Sequence, residues 1–71
     1  MIMTVARNLR KHRILKGLTQ FDVYYSSGIA PKQLSDYELG KVDTNISTLS
    51  ALAKAYGITM SQLFEEEIDK Q

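Results

Sequence analysis

The chain has 71 residues, 44% hydrophobic and 24% charged, with a formal net charge of +1, one histidine and no cysteine. That length holds one domain with a small core, burying roughly 60% of the surface its unfolded chain exposes. The lack of cysteine excludes disulfides and thiolate metal sites, one histidine cannot build a metal site alone, and no apolar run approaches the ~20 residues needed to span a bilayer.

With no signal-peptide core at the N-terminus, the expected location is the cytoplasm, away from any membrane. The near-neutral charge hides an asymmetry. Residues 65–71 hold four acids and one base, so residues 1–64 carry eight Lys/Arg against four Asp/Glu, and five of those eight cations lie between Arg7 and Lys16. A basic segment of this kind suits a polyanionic partner, although a solvated helix face would carry the same charge.

Residues 2–16 have helical period. Ile2, Val5, Leu9 and His12 fall on one stripe with Arg7 and Lys11 opposite, and Gly17 closes the helix. His12 reads as a packed, hydrogen-bonded structural residue, because the sequence offers no obvious nucleophile for it to activate. Ile14 and Leu15 fall off the stripe, either as ordinary exposed residues or as part of a partner contact.

The second helix starts at Thr19. Its hydroxyl serves as N-cap, Asp22 three residues on completes a capping box, and Leu18 and Val23 form a hydrophobic staple. Gln20 is then the first helical residue. Ser27-Gly28-Ile29 ends this helix, with Gly28 free to take the positive φ of a sharp turn. A third helix follows at once, with Pro31 at its first position and Ile29 and Leu34 as its staple. At 100° per residue, Leu34 and Tyr37 turn inward, while Lys32 and Asp36, flanked by Gln33 and Ser35, turn outward.

A turn over residues 40–44 leads to a fourth helix, capped by Asn45, with Ile46, Leu49, Leu52, Ala53 and Tyr56 as its buried stripe and Gly57 as its end. Thr59 and Gln62 form a second capping box, with Ile58 and Leu63 as staple, opening a short fifth helix through Met60, Leu63 and Phe64. No run reads as a strand. The expected organisation is a domain over residues 1–64 and an acidic tail over residues 65–71, which either extends the last helix or frays.

Four motifs now stand at fixed mutual spacing: K-G-L-T-Q at residues 16–20, S-G-I at 27–29, L-S-x-Y-E-x-G-K at 34–41, and I-x-T-L-x-x-L-A-K-A-Y-G-I-T-M-x-Q-L-F at 46–64. Together they resemble the Cro/repressor-type helix-turn-helix family, also called the xenobiotic-response-element family. The resemblance implies an all-α, compact five-helix bundle of lambda-repressor-like type. Helices two and three would form a reading unit, usually in a homodimer on a palindromic operator in double-stranded DNA.

Residue by residue, the resemblance implies that Thr19, Gln20, Pro31, Lys32, Gln33, Ser35, Asp36 and Lys41 line the DNA-binding surface. Gln20 matches a glutamine that meets phosphate or a base edge, and Lys41 a loop position near the backbone. Arg13 and Glu38 match a pair that joins the first and third helices in a partly buried ion pair. Three residues depart from the family pattern. Ala30 stands where a capping Ser or Thr is usual, Tyr24 where a small residue allows close approach of helices two and three, and Asp36 where the position is often neutral or basic. The implied function is a transcriptional regulator, chiefly a repressor. The alternative is an antitoxin or anti-repressor module that holds a protein partner, such as a toxin, with Ile14, Leu15 and the acidic tail as candidate surfaces. Without a phosphate-binding glycine loop or a metal-ligand cluster, the chain reads as non-enzymatic and needs no cofactor.

Overall fold

A computed structural model describes residues 3–66, and in it five helices follow one another: α1 (Met3–Leu15), α2 (Gln20–Ser27), α3 (Pro31–Glu38), α4 (Ile46–Tyr56) and α5 (Met60–Phe64). There is no strand among the described residues. α1 packs on α5 and α3, and α2 packs on α4 and α3, so α3 is held from both sides. Leu9, Leu34, Leu52, Leu63 and Val23 are the largest fully buried side chains, contributed by all five helices. Each stabilises by about 1.5–3 kcal/mol on burial, so no one helix can leave without exposing the others' apolar face.

The helix boundaries follow from local chemistry. The Asp22 backbone N–H donates to Thr19 Oγ1 at 3.0 Å, and the Thr19 N–H donates to Asp22 Oδ2 at 2.8 Å. The same reciprocal box opens α5 between Thr59 and Gln62. Asn45 Oδ1 accepts from the Thr48 N–H at 2.8 Å to start α4. α3 has no such help: Ala30 is its N-cap without a side-chain hydrogen bond, and Pro31 supplies the helical φ at its first position. At the other end of α3, Gly40 takes φ +72°, which lets the Lys41 N–H reach the Asp36 carbonyl at 2.9 Å and the Gly40 N–H reach Tyr37 at 3.1 Å.

Several expectations need correction. α1 ends at Leu15, one residue before the expected end at Lys16, and Ile2 lies outside the described residues. Its buried face also takes in Ala6 and Asn8, because α1 is covered by both α3 and α5 and so needs a wider stripe than one contact would. The Asn8 side chain is used fully as a donor: its Nδ2 reaches the Leu63 carbonyl at 2.9 Å and the Glu65 carbonyl at 2.7 Å. His12 is buried as expected, but Nε2 has no hydrogen-bond partner among the described residues, so packing rather than bonding holds that end of the ring. Ile46 is 67% exposed rather than buried, since the first turn of α4 overhangs the core that Leu49 and Leu52 enter. Tyr24, at the position where the family pattern has a small residue, leaves much of its ring in solvent. It is 43% exposed, with its ring 5.8 Å from that of Tyr25. Finally, α5 ends at Phe64 and Glu65 is extended, so the helix is not prolonged into Glu65 and Glu66; residues 67–71 lie outside the described residues.

Candidate nucleic-acid interface

α3 is an amphipathic rod seated on its inner edge. Leu34, Tyr37 and Glu38 are buried, whereas Lys32 and Gln33 are exposed and Ser35 and Asp36 half-exposed. The outer edge is therefore made of donors and acceptors on a helix whose roll is set by the core. Sequence periodicity placed Lys32 and Asp36 on that edge, one turn apart. They also meet: Lys32 Nζ lies 3.2 Å from Asp36 Oδ2 and 3.4 Å from Oδ1. The i,i+4 spacing was the available signal for this pair. Gln33 Nε2 donates to the Tyr37 hydroxyl at 3.4 Å, a long contact that does little to restrain the amide.

What fixes the roll of α3 against α1 is an ion pair. Arg13 Nε donates to Glu38 Oε2 at 2.7 Å and Nη2 donates to Oε1 at 3.1 Å, with the two side chains only 13% and 3% exposed. Nη1 also donates to the Leu18 carbonyl at 3.0 Å, so one guanidinium joins the end of α1, the entry to α2 and the end of α3. The hydrogen bond to Glu38 raises the Arg13 pKa above its ordinary value, against the opposing effect of burial. Sequence reasoning missed one member of this cluster: Gln20 Nε2 donates to Glu38 Oε1 at 3.3 Å. Gln20 is thus half-buried and oriented by the same carboxylate that orients α3.

The remaining site residues form the border. Thr19 is exposed with its hydroxyl accepting in the cap, Pro31 begins α3, and Lys41 is exposed just beyond the α3 end. Arg7 and Arg10 on α1 are exposed, and with Lys11, Ile14, Leu15 and Glu65 they border a separate groove along α1. The α2 surface holds a further feature that the sequence analysis passed over. Phe21, Tyr24 and Tyr25, at i, i+3 and i+4, are all well exposed, so this short helix carries an aromatic outer face. Among the described residues, no group of three His, Asp or Glu side chains could hold a metal ion, and no helix is long and apolar enough to cross a membrane.

A family model described as Helix-turn-helix matches residues 9–63, which takes in the end of α1 and all of α2, α3 and α4. Among curated proteins, the chain is 36% identical over 63 residues to the HTH-type transcriptional regulator DdrOP3 of Deinococcus deserti. That alignment covers 89% of this chain and 49% of the relative. It is 37% identical over 60 residues to the HTH-type transcriptional regulator PuuR of Escherichia coli, covering 84% of this chain and 32% of PuuR. An uncharacterized HTH-type transcriptional regulator of Sinorhizobium fredii, y4dJ, is 37% identical over 59 residues, covering 83% of this chain and 77% of that protein. The chain thus spans about half the length of DdrOP3 and about a third of PuuR.

Proposed function

The chain belongs to the helix-turn-helix family, and from that premise we propose that it is a sequence-specific DNA-binding transcriptional regulator, acting as a repressor that binds a palindromic operator as a homodimer. The observation that carries the reading is the orientation of α3, with Leu34 and Tyr37 anchored in the core and Lys32, Gln33, Ser35 and Asp36 turned out on one polar edge. An α-helix of this width enters the major groove, where each base pair displays a distinct set of donors and acceptors.

The side chains then divide by chemistry. Lys32 donates to guanine O6 and N7 or to a phosphate, and Gln33 pairs with adenine or reaches the backbone. Asp36 only accepts, so its partner on DNA is a cytosine amino group; in the free protein Lys32 shields it from phosphate. Gln20, Thr19 and Lys41 sit at the border, where phosphate contacts set register rather than sequence. The free protein therefore carries its main reading cation in an exposed pair with Asp36. Such a pair is worth roughly 0.5 kcal/mol or less, so DNA can open it at little cost.

The test combines selection and substitution. Selecting bound duplexes from a random pool is expected to return a palindrome, and gel-shift titrations on it are expected to show affinity falling steeply as salt rises. Lys32→Ala and Gln33→Ala should weaken that binding while leaving thermal melting nearly unchanged. A pool that yields no preferred sequence, or a flat salt response, would refute the proposal. One observation favours a second role alongside it, that of holding a protein partner: Ile14 and Leu15 are 50% and 70% exposed beside a groove rimmed by Arg7, Arg10 and Lys11.

A further inference from the structure

The outer edge of α3 carries a cation and an anion already clasped together. Lys32 Nζ lies 3.2 Å from Asp36 Oδ2 and 3.4 Å from Oδ1, with the lysine side chain 86% exposed and the aspartate 22%. Both groups keep unused bonding capacity: an ammonium has three N–H donors and a carboxylate about four acceptor sites, so the bond between them leaves each able to bind further. The roll of the helix that presents them is fixed from behind by Leu34, Tyr37 and the Arg13–Glu38 pair.

The edge of one kind of base pair is the complement of this clasp. Read across the major groove, a G·C pair shows the N7 acceptor, the O6 acceptor, the N4 donor and then a C–H group. O6 and N4 are hydrogen-bonded to each other, about 2.9 Å apart, so a protein donor and acceptor at about 3 Å face a DNA acceptor and donor at a like spacing. Lys32 can donate to O6 and N7 while Asp36 accepts from N4, and the two need not part. Other pairs fit worse. Turned round as C·G, the same pair sets its amino group against the ammonium and its acceptors against the carboxylate, and A·T sets thymine O4 against the carboxylate. A T·A pair offers O4 and N6 in the right order, but it puts a methyl in place of guanine N7 and adenine N7 beside the carboxylate.

We propose that Lys32 and Asp36 act as one unit that reads a single G·C pair per bound domain, guanine under the lysine, and that methylation of the cytosine amino group blocks this reading. The inference rests on the DNA-reading proposal above and sharpens it to one base pair. Guanine holds one of the two N4 hydrogens, so a single methyl on N4 replaces the hydrogen that points into the groove, and Asp36 has nothing left to accept from. A methyl on C5 leaves that hydrogen in place. The carboxylate also restrains the lysine elsewhere on DNA, because it offsets the charge that would otherwise hold any phosphate equally well.

The test selects bound duplexes from a random pool with the whole chain and with Asp36→Ala, then measures binding to duplexes whose cytosine at the selected pair carries an N4 or a C5 methyl. Alanine is the best helix former and Asp36 lies outside the core, so the variant should fold; the methylated duplexes probe the unaltered protein in any case. Expected for the parent is a G·C pair of fixed orientation, with affinity falling about tenfold or more on N4 methylation or on reversal of the pair, and far less on C5 methylation. Asp36→Ala should accept other pairs at that position and lose the response to N4 methylation. The proposal is overturned if the parent fixes no G·C pair that Asp36→Ala relaxes, or if N4 methylation there weakens both proteins alike or neither. A pool that yields no preferred sequence for the parent would instead refute the DNA-reading proposal itself, and the inference with it.

Discussion

Replacing Arg13 with Met should come close to unfolding the domain, and the cause would be the carboxylate left behind. Glu38 is 3% exposed and accepts two hydrogen bonds from Arg13, at 2.7 and 3.1 Å; after the substitution the 3.3 Å contact from Gln20 is the one side-chain hydrogen bond left to it among the described residues. Breaking a buried pair from one side typically costs about 3–5 kcal/mol, because the surviving charge keeps its desolvation penalty and loses its compensation. Against a total stability of roughly 5–15 kcal/mol, with a small domain near the low end, that is most of what holds the fold. At 4–8 °C per kcal/mol for a domain of this size, the melting temperature should fall by roughly 10–40 °C.

The double variant Arg13→Met with Glu38→Leu removes both charges and should recover most of the loss. It leaves only the Leu18 carbonyl and the half-buried Gln20 amide without their former partners. Urea and thermal unfolding of the parent, both single variants and the double complete the cycle. A loss under about 1 kcal/mol in Arg13→Met, or a double variant no more stable than that single one, would show that the pair does not clamp α3.

Two further outcomes follow from single atoms. The Tyr56 hydroxyl is buried with no hydrogen-bond partner among the described residues, and burial, joined by the charge of Glu38, pushes its pKa above the ordinary 10.0. The folded state therefore keeps a proton that the unfolded chain releases, so stability is fully present below pH 10 and declines as pH rises beyond it. Tyr56→Phe should flatten that alkaline decline in urea unfolding and be neutral or slightly stabilising at pH 7; an equally steep decline would contradict the assignment. Ala30→Ser should gain about 0.5–2 kcal/mol by capping α3, seen as a higher melting temperature; no gain would mean that the hydroxyl cannot reach the first-turn N–H groups in the extended geometry Ala30 adopts.

Much of this architecture was legible because its signals are local. The caps at Thr19, Asn45 and Thr59 each depend on a side chain and a backbone group three residues apart, so they survive whatever the rest of the chain does. The orientation of Lys32 is nearly as local, following from helical period once Leu34 and Tyr37 are assigned inward. What escaped is tertiary. Nothing near Asn8 announces that its amide will meet carbonyls more than fifty positions away. The burial of Ile46 was overestimated because periodicity counts directions around an axis and not how far a first turn projects past the core. Tyr24 stands where the family pattern has a small residue, and the sequence does not say that much of its ring lies in solvent beside Tyr25. Gln20 looked like a free helix-start donor, and only the fold reveals the carboxylate that holds it.

The Asn8 amide also dictates a schedule. Its two acceptors, on Leu63 and Glu65, are made 55 and 57 residues later, and they fasten the first helix to the last. During synthesis the ribosome must release both before the clasp can shut, so the earlier helices emerge with one flank of α1 still unsheltered. A nascent chain of this protein is consequently most vulnerable to proteases and to sticking just before α5 clears the exit tunnel, and folding should complete in a late, abrupt step.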